Sequence, residues 1–167
     1  MPEAIADSSV LILLAGIDRI GLLERYHRRV MVSPAVVREV VEEGKGQPGS
    51  AELQSAIDDG WISVRQPADR ALVTTLQRDL GDGEAESIAL GTELPDAVVL
   101  LDDSDARSRA RALGLETAGV VGLLIRARKD GTIDSLSREL ERLRTEMGFW
   151  ISEDLVKQAL AEVGESQ

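Results

Sequence analysis

The stretch Ala97-Val98-Val99-Leu100-Leu101-Asp102-Asp103-Ser104-Asp105 decides how the chain is read. Its apolar half, bounded by Pro95-Asp96 before and by charge after, reads as a strand buried on both faces of a parallel sheet. Its other half places three carboxylates at the C-terminal end of that strand. In open α/β sheets the crevice beyond the carboxyl ends of the strands is where ligands bind, so acids delivered there are candidates for chemistry. Asp102 or Asp103 also suits the N-cap of a helix predicted from Ser104 to Leu113, but one cap accounts for one aspartate.

Outward from this stretch the same alternation recurs. A short apolar approach at Ala4–Ala6 meets Asp7-Ser8-Ser9 and a helix with Val10, Leu11, Leu13, Leu14 and Ile17 at helical spacing. Arg29–Ser33 is a second strand ending at Ser33-Pro34, with Ser33 as cap and Pro34 at the first helical position. Val36, Val37, Val40 and Val41 face inward from the helix that follows, and Glu39 falls elsewhere on it. Helices at Ala51–Asp58, Asp69–Leu80 and Glu84–Glu93, brief strands at Trp61–Val64 and Leu115–Ala118, a helix at Gly119–Lys129 and two closing helices at Ser135–Met147 and Glu153–Val163 complete the pattern. Strands alternating with helices predict a three-layer α/β/α domain with a central parallel sheet of four to five strands. One domain is expected over 1–167, with the C-terminal helices, about 134–164, packed on it.

Composition excludes several classes. The chain has 167 residues, 43% of them hydrophobic but only 2% aromatic, so its core must rely on Leu, Val, Ile and Ala. Without cysteine there is neither a disulfide framework nor a thiolate metal site. The run from Val10 to Ile17 is too short to cross a bilayer and has no basic region before it, so a cytoplasmic protein without membrane attachment is expected. Nineteen basic against 30 acidic residues leave a net charge of −11, which opposes long-range attraction of nucleic acid. Any nucleic-acid contact must therefore come from a local basic patch, for which Arg107, Arg109, Arg111, Arg126, Arg128 and Lys129 are candidates.

Carboxylates recur at strand ends or in the next helix: Asp7, Glu39, Glu84 with Glu86, and Asp102 with Asp103. Each has an ordinary role available, as a cap, a solvated helix position or a complement to a helix dipole. Glu86, two residues beyond Glu84, points to a different side of its helix. Gathered in one crevice, however, like charges require a cation. An all-oxygen donor set selects a hard ion such as Mg²⁺ or Mn²⁺, and the one histidine, His27, reads as a surface residue. Such sites support hydrolysis of phosphate esters.

Four segments, Asp7-Ser-Ser-Val-Leu-Ile-Leu-Leu-Ala, Ser33-Pro-Ala-Val-Val-Arg-Glu-Val-Val, Gly83-Glu-Ala-Glu-Ser-Ile-Ala-Leu and Leu100-Leu-Asp-Asp-Ser-Asp-Ala-Arg, resemble the four signatures of PIN-domain proteins. More narrowly they resemble a prokaryotic PIN-like branch related to toxins of VapC type. The similarity extends through Thr117-Ala-Gly-Val-Val-Gly-Leu-Leu to Gly148-Phe-Trp-Ile-Ser-Glu-Asp-Leu. The resemblance implies a Mg²⁺- or Mn²⁺-dependent endoribonuclease whose acids are Asp7, Glu39, Glu84 and Asp103. Asp103 is favoured because it lies eleven residues before Gly114; Asp102 and Glu86 stand as further candidate ligands. Ser9 would cap its helix or position substrate, and Arg107 and Arg126 would contact phosphate. The resemblance also implies a cognate antitoxin and a homodimer. The third acid is Glu where many PIN domains have Asp, and Leu101 replaces the usual Thr before the fourth. A PIN-like module that binds without cutting is the alternative. A receiver domain would need a lysine near the last strand, and a haloacid-dehalogenase phosphatase a second aspartate near Asp7; both are missing.

Overall fold

Residues along each strand are shared alternately between two apolar cores, because successive side chains point to opposite faces of a sheet. In the computed structural model, which describes residues 1–166, five strands carry this alternation: β1 (Glu3–Ala6), β2 (Arg29–Val32), β3 (Ile62–Val64), β4 (Ala97–Leu100) and β5 (Thr117–Ala118). All pairings are parallel and the order is β3-β2-β1-β4-β5.

Ala4, Ala6, Val30, Val32, Ile62, Val98 and Leu100 face one core. It is closed by α1 (Ser8–Gly16), α2 (Gly21–Tyr26), α4 (Ser50–Asp58), α8 (Val120–Lys129), α9 (Leu136–Thr145) and α10 (Glu153–Glu162). Ile5, Met31, Ala97, Val99 and Leu101 face the other, covered by α5 (Arg70–Leu76), α6 (Asp82–Glu93) and α7 (Ser104–Ala112). The domain is thus the expected α/β sandwich, at the five-strand end of the predicted range. No helix among the described residues is long and apolar enough to cross a membrane.

The helix after β2 departs from the expected regular helix. Ser33 caps α3 (Pro34–Val37) through the Val36 N–H at 3.2 Å, and then Arg38–Glu42 widens into a π-helical turn. Such turns reorient side chains and recur at functional sites. Glu39 lies in this one. The reading of His27 as a surface residue is corrected: it is buried, its Nδ1 2.9 Å from the Leu23 carbonyl, because the chain leaving α2 turns straight into β2 and seals the ring between them.

Candidate active site

The strand order reverses between β1 and β4, since the chain builds outward from β1 through β2 and β3 before crossing back to β4. Crevices open at such a switch point beyond the strand ends. The Asp7 N–H donates to the Leu100 carbonyl at 3.1 Å, so the two strands leave the sheet side by side with Asp7 after one and Asp102-Asp103 after the other.

Asp7 occupies the N-cap position of α1, yet its side chain makes no cap hydrogen bond. The carboxyl is instead buried, at 3% exposure, with Oδ1 lacking any hydrogen-bond partner and Oδ2 accepting from the Ser9 hydroxyl at 3.4 Å. Burial is the main cause that pushes its pKa up to about 7; the charges of Glu84 and Glu39 push the same way, while the Ser8 N–H and Ser9 hydroxyl oppose them. Ser9 thus serves the carboxyl before it and does not cap the helix.

Glu39 reaches the same place from the π-helical turn. Its Oε1 accepts from the Ser8 hydroxyl at 2.7 Å and its Oε2 from the Gly83 N–H at 3.4 Å. Gly83 permits this approach, because a Cβ there would stand 2.1 Å from Glu39 Oε1 and 3.2 Å from Asp7 Oδ1. One turn into α6, Glu84 turns back to accept from the Gly81 N–H at 3.1 Å. Burial raises its pKa, and the charges of Asp103, Glu39 and Asp105 add to that against the Gly81 N–H.

Asp103 and Asp102 divide the work at the end of β4. Asp103, exposed, caps α7 through the Ala106 N–H at 2.9 Å. Asp102 accepts from the Val120 N–H at 3.1 and 3.3 Å, joining β4 to the start of α8, and its pKa is raised by burial against that N–H and Arg107. Gly119 makes room for it: a Cβ there would lie 2.6 Å from Asp102 Oδ1. Glu84, Asp102, Asp103, Ser9 and Phe149 help line a cavity of about 400 Å³.

Asp7, Glu39, Glu84 and Asp103 therefore form one electrostatically coupled set from four separate elements. Glu86 stands apart: buried, it accepts from the Ala35 N–H at 2.9 Å and pairs with Arg70 at 2.9 Å. Arg126 lies over the Tyr26 ring, 4.2 Å from its centroid, near the far end of α8, where Arg128 and Lys129 pair with Glu165 and Glu162. Arg109 pairs with Asp79. Of the basic candidates, Arg107 and Arg111 border the crevice. Sequence reasoning passed over Ser8, which locks Glu39, and the space-making role of Gly83. Both lie inside the segments quoted above, but only the packed elements reveal what each residue touches.

A family model described as a PIN domain, DUF3368, matches residues 3–165. The chain belongs to the PIN-domain family. It is also similar to a PilT N-terminus domain protein, SSO1118, from the hyperthermophilic archaeon Sulfolobus solfataricus P2, at 18% identity over 83% of this chain and 94% of that one, with a TM-score of 0.48. No curated protein matches it. PIN domains are generally nucleases that use divalent metals, and the donor chemistry here suits a hard cation: carboxylates alone, with a buried aspartate oxygen left unsatisfied. Among the described residues no three acidic or imidazole side chains already stand close enough together to enclose an ion. Part of the reason is visible in the hydrogen bonds, which turn Glu39, Glu84 and Asp103 each toward a backbone N–H.

Proposed function

We propose that this PIN-domain protein is a metal-dependent endoribonuclease that hydrolyses RNA phosphodiesters, with Asp7, Glu39, Glu84 and Asp103 holding Mg²⁺ or Mn²⁺. The observation that carries the reading is Asp7: a buried carboxyl, unpaired at Oδ1, beside two further acids at the switch point of a parallel sheet. Leaving a buried carboxyl oxygen unsatisfied costs about 1–3 kcal/mol, a strain that persists where function uses the group. A bound divalent cation supplies Lewis-acid polarisation of the phosphodiester and activation of the attacking water.

The chain's own residues do the rest. Asp7 would hold the cation as its ionised carboxylate, since an opposite charge favours that form. Ser9 orients Asp7, and Ser8 with the Gly83 N–H orients Glu39. Arg107 offers a guanidinium beside Asp102 for a substrate phosphate. The test is cleavage of single-stranded RNA with Mn²⁺ by the unsubstituted protein and by Asp7→Asn. Cleavage lost in the variant supports the reading. Equal cleavage by both overturns it, and Mn²⁺ binding without cleavage favours a PIN-like binding module, for which the net charge of −11 speaks.

The resemblance to VapC-type toxins extends the proposal to partners: a cognate antitoxin protein, a homodimer and a cytoplasmic setting. Sedimentation of the purified chain tests the dimer, and co-purification with the product of a small neighbouring reading frame tests the antitoxin.

A further inference from the structure

The loop between α9 and α10 holds two of the chain's four aromatic residues, Phe149 and Trp150, and it is a pinned loop. Gly148 takes φ +63° to end α9, the Phe149 N–H returns to the Leu143 carbonyl at 2.9 Å, and Arg144 donates to the Ile151 carbonyl at 3.0 Å. Ser152 then caps α10 through the Leu155 N–H at 3.1 Å. Ile151 is buried and Phe149 packs partly against the core, which drives the intervening side chain outward. Trp150 is accordingly 81% exposed, the most exposed large apolar side chain among the described residues.

That position adjoins the acids. Trp150 and Phe149 line a cavity of about 590 Å³ together with Asp102, Asp103, Arg107 and Arg111. The acidic cavity shares Asp102, Asp103 and Phe149 with it, so the two adjoin. None of the described ion pairs includes Arg107 or Arg111, and Arg107 Nε is buried without a hydrogen-bond partner. An exposed indole on a pinned loop, two guanidinium groups and a set of carboxylates thus border two adjoining cavities. An unpaired nucleotide matches that set of chemistries, with its base on the indole, its phosphate at the arginines and the next phosphodiester toward the acids.

We infer that Trp150 is a base-stacking platform which, with Arg107 and Arg111, forms a subsite for one unpaired nucleotide of a single-stranded RNA beside the acidic centre; this rests on the nuclease reading above. Stacking on an indole requires a base free of its helix, so the subsite selects single strands over duplex and tolerates any base.

The test uses the full chain carrying Asp7→Asn to suppress turnover and Trp61→Phe to leave Trp150 as the sole tryptophan. A short oligouridine, added with Mg²⁺, should quench Trp150 emission, and a duplex of equal length should not. Binding of a labelled oligouridine should weaken on the order of tenfold in Trp150→Ala and largely recover in Trp150→Phe. Unmoved emission, equal affinity in Trp150→Ala, or tighter binding of duplex overturns the inference. So does a Trp150 buried by a second copy, seen as a dimer that Trp150→Ala dissociates and the oligomer does not. Hydrolysis of a small aryl phosphodiester by the unsubstituted protein with Mn²⁺ needs no base, so its absence would count against the nuclease reading alone.

Discussion

At the scale of single residues, Asp7 ties stability to pH. Its pKa of about 7 in the fold exceeds the ordinary 3.8, so between those values the native state binds the proton that the unfolded chain has released. Stability contributed by the protonated carboxyl is therefore fully present below about pH 4 and is lost as pH rises through about 7. The loss is at most on the order of 4 kcal/mol, from about 1.4 kcal/mol per pKa step. Buried His27, whose pKa is lowered chiefly by desolvation, imposes the opposite slope as pH falls, so the comparison between variants isolates Asp7. Metal-free Asp7→Asn is expected to match the unsubstituted protein near pH 4 and to unfold at a higher temperature near pH 8, as read by thermal denaturation across that range. A variant less stable than the parent at pH 8 would show that Asp7 is satisfied in the fold.

Among the elements, the approach of α6 to the π-helical turn is the sensitive contact. Gly83→Ala brings a Cβ against the far end of the Glu39 side chain, which can swing aside, while alanine improves helix propensity by about 1 kcal/mol. Folding stability should change by no more than about 1 kcal/mol while RNA cleavage and Mn²⁺ affinity fall at least tenfold, measured by urea denaturation and calorimetric titration. The docking of α9 responds differently. Glu139, 1% exposed, binds Arg19 at 2.8 and 3.2 Å and lies 3.6 Å from Arg142, tying α9 to the turn after α1. Glu139→Ala should cost about 2 kcal/mol, below the value for a fully buried pair because both arginines stay partly solvated. A shifted urea midpoint with unchanged cleavage per folded molecule would confirm that this cluster is structural.

For the whole molecule, the proposed metal site predicts that a divalent cation acts as a stabilising ligand. At a concentration a hundredfold above its dissociation constant, a ligand of the native state adds about 2.7 kcal/mol, roughly 5–10 °C in a domain of this size. Mn²⁺ should raise the unfolding temperature by that order, more at pH 8 than at pH 5, and should do much less for Asp7→Asn at matched ionic strength. An equal shift in both proteins would place the ion elsewhere on a surface whose net charge of −11 attracts cations generally.

Periodicity in the sequence alone determined the α/β class, the parallel sheet and the acids at its edge, because burial of strands and helices imposes spacings visible in a linear chain. The Ser33-Pro34 helix start was legible for the same reason, as its chemistry is local. Tertiary structure decided what each acid does. Glu84 and Glu86 are two residues apart, yet one joins the crevice and the other serves the start of α3, which depends on partners 51 and 16 residues distant from Glu86. His27 was misjudged because burial of a lone polar ring is set by the chain folding over it. The opening stretch shows the division most plainly. Ala97–Leu101 could be recognised as a buried strand from composition, and the cap that Asp103 supplies to α7 through the Ala106 N–H is local, one of the two caps the sequence offered. That Asp102 instead ties β4 to α8 depends on the Val120 N–H, which the crossover brings within reach from 18 residues away and no spacing encodes.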